Sequence, residues 1–202
     1  MDRAAPHALR KGPGTVSMIN NKEGYGALTK LFHWLIVILF ALQYIGANIM
    51  TRIEWEDTFA GLSQAFYYNW HKSLGLVALG IAVFRLANRY MGRLPDWAPT
   101  LTNGEQRFIH RSEQVLYFAM FFMPITGYLY VMSGGYGVML FGIWQLDNPI
   151  GKWPEMEFVT KWMHIVCAWV LLAGILGHLG VVLRHQFIVK DGLIKRMLPG
   201  RG

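Results

Sequence analysis

Cysteine and charge are what this 202-residue chain has least of. A single cysteine, Cys167, excludes an internal disulfide framework and any zinc or iron–sulfur site built on several thiolates. Charged residues make up 15% of the chain, where soluble domains carry about 25%. Apolar residues make up 53%. That balance excludes a disordered chain, which needs low hydrophobicity and high charge, and argues against an ordinary water-soluble globule. Acidic residues are the scarcer sign, 12 against 19 Lys and Arg, for a net charge of +7. There is no internal repeat and no low-complexity tract. No secretory leader is expected either, because the first thirty residues are polar and the first apolar stretch is too long for a signal-peptide core.

What the chain has instead is four long apolar stretches, roughly residues 28–50, 70–90, 115–132 and 158–183. Each is near the length of about 20 residues that an α-helix needs to cross a bilayer. The expected fold is an all-α membrane protein, a four-transmembrane-helix bundle over residues 28–186. It is flanked by a mobile N-terminal tail, 1–27, and a C-terminal tail, 187–202. The basic residues orient the bundle. Arg3, Arg10, Lys11, Lys22 and Lys30 precede or open the first span. Arg85, Arg89, Arg93, Arg107 and Arg111 cluster between the second and third, and Arg184, Lys190, Lys195, Arg196 and Arg201 follow the fourth. The other two loops and their flanks hold only Arg52, Lys72, Lys152 and Lys161. This positive-inside bias places both termini in the cytoplasm. The basic surplus is thus a topology signal, and a nucleic-acid partner is not expected. The glycine-rich apolar loop 133–144 is too short to span and is expected at the outer interface.

Four of the seven histidines, His33, His71, His164 and His178, lie inside these stretches. Ionisable residues inside spans are rare and usually functional. His33 and His178 lie at cytoplasmic depth, on different helices. His71 and His164 lie at outer depth, again on different helices. Fourteen residues separate His164 from His178, which brings a helix back to within roughly 40° of one face, about 21 Å further along its axis. One helix face therefore supplies one imidazole to each of two sites stacked across the bilayer. Zinc wants three or four protein ligands, and no carboxylate or spare thiol lies at these depths. Two axial imidazoles on a haem iron satisfy the arithmetic. Small residues near the histidines (Cys167, Ala168, Gly174 and Gly75) leave room for a flat ring. No CxxCH motif exists, so covalent attachment is excluded and the haems are expected to be b-type. Arg85, fourteen residues after His71, falls on the His71 face at the depth of the cytoplasmic pair, where a haem propionate would be its anion. His7 and His185 call for no special role. His110 and His185 are read as snorkelling to the cytoplasmic surface rather than as a quinone site.

These residues resemble the bacterial cytochrome b561 family, which includes the cytochrome b subunits of membrane hydrogenases and formate dehydrogenases. The matching features are Phe32-His33-Trp34, the run Trp70-His71-Lys72-Ser73-Leu74-Gly75, His110 followed by Tyr117 and the turn Met123-Pro124-Ile125-Thr126-Gly127, and the spacing of His164 to His178. The resemblance covers roughly residues 28–186. It implies a bundle in the bacterial inner membrane with two b haems, His33 paired with His178 and His71 with His164, and electron exchange with a quinone such as ubiquinone. Some members with this pattern oxidise superoxide and pass the electron to ubiquinone, which makes superoxide an alternative donor. Lys72 and Lys161 would then form a locally positive mouth. The outer regions as a whole carry six acids (Glu54, Glu56, Asp57, Asp147, Glu155 and Glu157) against four bases, and that balance suits a basic redox protein as donor. A rival of another class is a haem-free proton transporter that uses the four histidines as a relay.

Overall fold

The computed structural model describes residues 17–199. The expected tail is therefore described only from residue 17, and its basic residues Arg3, Arg10 and Lys11, with His7, lie outside the described residues, as does Arg201. Four long helices dominate: α1 (Ala27–Met50), α2 (Gln64–Met91), α3 (Asn103–Ser133) and α4 (Pro154–Arg184). All four are long and apolar enough to cross a membrane. α1 packs along α2, α3 packs along α4, and contacts between α2 and α3 join the two pairs. Large apolar side chains such as Phe84, Phe118, Phe158 and Trp169 point outward. The buried core is thin and built partly of small residues, Ala78, Ala82, Ala119 and Cys167 beside Ile36, Met120 and Leu171. This is the pattern of helices that pack by close approach and leave their bulk to lipid.

The helices outrun the apolar stretches at several ends, and caps explain why. α3 begins twelve residues before its apolar run. Thr102 accepts from the Glu105 backbone N–H at 3.3 Å, and the Glu105 carboxylate accepts from the Thr102 N–H at 2.9 Å. This reciprocal box starts a polar first turn that hydropathy alone does not register. α2 begins six residues early on an N-cap, Ser63, which accepts from Phe66 N–H. α4 starts on Pro154, whose missing N–H costs nothing in a first turn. α1 has no side-chain cap. The segment before it does that work: Ala27 and Leu28 N–H donate to the Ser17 and Met18 carbonyls, and Asn20 accepts from Gly26 N–H and Thr29. Residues 17–20 pass so close that a Cβ on Gly26 would stand 2.5 Å from Ile19 C and one on Gly92 2.5 Å from Ile19 Cγ2. Residues 17–26 are thus bonded onto the bundle rather than mobile.

The two loops at the opposite end are short hairpins. One pairs Thr58 with Ser63 and Phe59 with Leu62. It turns through Ala60 and Gly61, both in the left-handed region. The other pairs Met139 with Gln145 and Leu140 with Trp144. This second hairpin, the glycine-rich loop, packs on the start of α2. Phe141 N–H donates to Ser73 Oγ at 2.7 Å, Lys72 Nζ donates to the Gly137 carbonyl at 3.0 Å, and Phe141 meets Trp70 edge to face. The three anchors flank His71 in sequence, so the loop is fastened over that end of the bundle.

Candidate haem sites

The described termini and the α2–α3 connection share one end of the molecule, here the terminal end; the two hairpins mark the other. Near the terminal end α1 presents His33 and α4 presents His178. Their ring centres are 6.4 Å apart with planes at 58°. Near the hairpin end α2 presents His71 and α4 presents His164, also 6.4 Å apart with planes at 82°. Neither pair is joined by a hydrogen bond among the described residues. A metal about 2.0 Å from each imidazole nitrogen, with about 1.1 Å more from nitrogen to ring centre, needs ring centres ~6.2 Å apart. Both pairs match that spacing, and the rings can take any angle about the metal–nitrogen axis. No group of three or more His, Cys, Asp or Glu that could hold a metal ion occurs among the described residues. Two facing imidazoles with free nitrogens fit a haem iron.

The hairpin-end pair is positioned in detail. His164 Nδ1 lies 2.9 Å from the Met123 carbonyl of α3. A carbonyl oxygen only accepts, so Nδ1 carries the hydrogen and Nε2 keeps its lone pair. Gly127 lines the same contact: a Cβ there would stand 2.8 Å from His164 Cε1. Opposite, Gln43 Nε2 of α1 donates to the His71 carbonyl at 3.0 Å, and the buried His71 ring faces the Gln43 backbone carbonyl without a close hydrogen bond at Nδ1. The Met123–Gly127 segment is not the turn its proline and glycine suggest. α3 continues unbroken through Pro124, because neighbouring helices can re-satisfy a backbone group that proline frees inside a membrane.

The small residues serve packing instead of leaving room. A Cβ on Gly174 would meet Leu116 at 3.2 Å, and one on Gly75 would meet Gln43 at 3.2 Å. Cys167 is buried against Ala119 and Leu171, and the Ala168 carbonyl accepts from Tyr44 Oη.

Arg85 of α2 lies near the terminal-end pair, His33 and His178. Its Nε reaches Tyr117 Oη at 3.4 Å, and its guanidinium lies 5.5 Å from the centre of that ring. Arg89 lies 5.2 Å from the same ring and pairs in fork fashion with Glu113. Among the described residues Arg85 has no carboxylate partner, so it has charge to spare for an anion.

His185 is the correction. Read from sequence as a surface residue, it is 0% exposed. Its Nδ1 lies 2.6 Å from Asp191 Oδ2 and its Nε2 3.2 Å from Glu105 Oε1. α4 ends in a π-turn, His185–Val189, closed by left-handed Lys190, and this doubles the chain back so that Asp191 returns to His185. Helical periodicity gives no hint of that contact. His110 is exposed, as expected.

Residues 24–200 match the family described as prokaryotic cytochrome b561. The chain is also similar to cytochrome b561 homolog 2 of Escherichia coli (strain K12), at 27% identity over 188 residues, 91% of this chain and 95% of that protein.

Proposed function

The chain belongs to the prokaryotic cytochrome b561 family, and we propose that it is a di-haem carrier that moves electrons across the inner membrane and exchanges them with a quinone. The observation that supports this most is the repeated 6.4 Å imidazole spacing at two levels of α4. A b haem, when bound, supplies reversible one-electron chemistry. His33 with His178, and His71 with His164, would hold the two haems.

The protein's own contribution follows from its residues. Four imidazoles from three helices fix two binding levels. His164 is held in the tautomer that frees Nε2 by the Met123 carbonyl. Apolar walls from Phe40, Phe121 and Phe122 keep water from the space between the levels. Arg85 offers its guanidinium to a propionate at the level of His33 and His178. The terminal end, with its basic excess, is cytoplasmic, so the His71–His164 pair faces outward.

The hairpin end also bears on the donor. The Lys72 ammonium is half-buried and committed to the Gly137 carbonyl, whereas Glu54, Glu56, Asp57, Asp147 and Glu155 are exposed. That surface suits a basic redox protein better than superoxide, although Lys161 remains exposed.

The test is vesicle electron transfer. With an impermeant oxidant trapped inside, the reconstituted protein should pass electrons from an impermeant external reductant. No transfer from a protein whose haems are present and reducible would refute the transmembrane reading.

A further inference from the structure

We propose that the Met123–Gly127 stretch of α3 is a dedicated seat for the His164 imidazole, with Gly127 as a positioning residue for the outer haem. The proposal rests on His164 being an axial ligand, as inferred above.

Two observations on one helix face carry it. Gly127 provides the recess: Cε1 of His164 would stand 2.8 Å and Nδ1 3.0 Å from a Cβ at this position. Contacts under 3.0 Å require something to shift. The neighbour here is a ring that cannot fold aside without leaving its partner. One turn earlier, the Met123 carbonyl supplies the acceptor for Nδ1–H at 2.9 Å. That carbonyl is shared, since Thr126 Oγ1 also donates to it at 3.0 Å while bonding Phe122 O at 2.8 Å. The glycine sets where the ring lies and the carbonyl sets which nitrogen faces the iron. Such outer partners fix ring orientation and raise ligand basicity.

The opposing ring is held less tightly: His71 meets the Gln43 backbone carbonyl, but its buried Nδ1 makes no close hydrogen bond like that of His164. The two axial ligands of the outer haem are therefore chemically unequal, and changes in the seat act on one of them. The Met-Pro-x-Thr-Gly sequence gains a role on this reading: its glycine and its first carbonyl face α4 within a continuous helix.

The experiment uses the full-length protein in detergent, with optical and electron-paramagnetic spectra and redox titration resolving the two haems. Gly127→Ala should weaken outer haem retention about 10–100-fold, or convert that haem to high spin, and leave the inner haem low-spin with its potential unchanged. Gly92→Ala is the control for general damage. Its Cβ would overlap Ile19 and Asn20 at the terminal end, so it should lower the melting temperature without altering the outer haem's spectrum. Thr126→Val keeps the protein's shape and removes the competing donor. It should shift the outer haem alone to lower potential, because a more basic imidazole favours ferric iron. Outer spectra and potentials that stay at wild-type values in both Gly127→Ala and Thr126→Val would overturn the seat while leaving di-haem binding intact. So would equal changes at both haems. A wild type without haem would overturn the functional reading and the seat together.

Discussion

His185 is where a single side chain holds the most of the structure together. Its two ring nitrogens face Asp191 and Glu105, Arg184 pairs with the same Glu105, and Thr100 donates to the same Asp191 oxygen. Three separate segments converge on one buried imidazole. Asp191 is held down to about 2: burial pushes its carboxyl upward, but hydrogen bonds from Thr100, the His185 ring and the Leu193 N–H outweigh it. A depressed carboxylate contributes stability above its ordinary value of 3.8, and the contribution is lost as pH falls toward 2. Asp191→Asn should therefore melt below wild type at neutral pH in detergent, and the gap should close on acidification through that window. An equal gap at all pH values would contradict the ionic role. The four intramembrane histidines were legible because an ionisable residue in an apolar run is expensive wherever it sits. His185 was not, since its partners arrive by a π-turn and from another helix. Gln43 and Gly127 escaped for the same reason: their significance lies in what faces them.

At the scale of elements, capping chemistry decides where helices begin. Thr102→Ala removes one half of the α3 box and should cost about 1 kcal/mol. Glu105→Ala removes the other half and also strips His185 and Arg184 of a carboxylate, so its cost should exceed that of Thr102→Ala. Equal costs in thermal or denaturant unfolding would mean that the network beyond the cap contributes nothing. The Thr-x-x-Glu spacing was readable in the sequence; hydropathy hid it by starting the helix at its first apolar run. The second hairpin supplies another test. Ser73→Ala leaves the Phe141 N–H without its Ser73 acceptor, at about 1 kcal/mol for a lost hydrogen bond. Hydrogen exchange should then rise across residues 137–145 while α2 stays protected. The anchoring was invisible beforehand because Ser73 reads as an ordinary small residue in a packed helix.

For the whole molecule, four apolar runs, an asymmetric distribution of Lys and Arg, and four histidines at two depths were enough to expect a four-helix membrane bundle. The pairings then followed from helix pitch and family resemblance. What the sequence could not supply was how the ends close. The segment 17–20 wedges between Gly26 and Gly92. The C-terminal stretch folds back, with Trp34 donating to Met197 and Arg196 to Asp96. The acidic, Trp-bearing hairpin end predicts partner choice. Reduction by a cationic redox protein should slow as salt rises, because exposed charges act mainly on association. Lys72→Glu should leave that rate unchanged or faster, and a marked slowing would point to an anionic donor instead. Everything in this reading depends on two imidazole pairs each holding one haem, and the pyridine haemochrome ratio of haem to protein reports on that most directly. Wild type should give two haems per chain, and His164→Ala and His178→Ala one each, with a different haem surviving in each variant. A wild-type ratio near zero or one, or a ratio of two retained in His164→Ala, would contradict it.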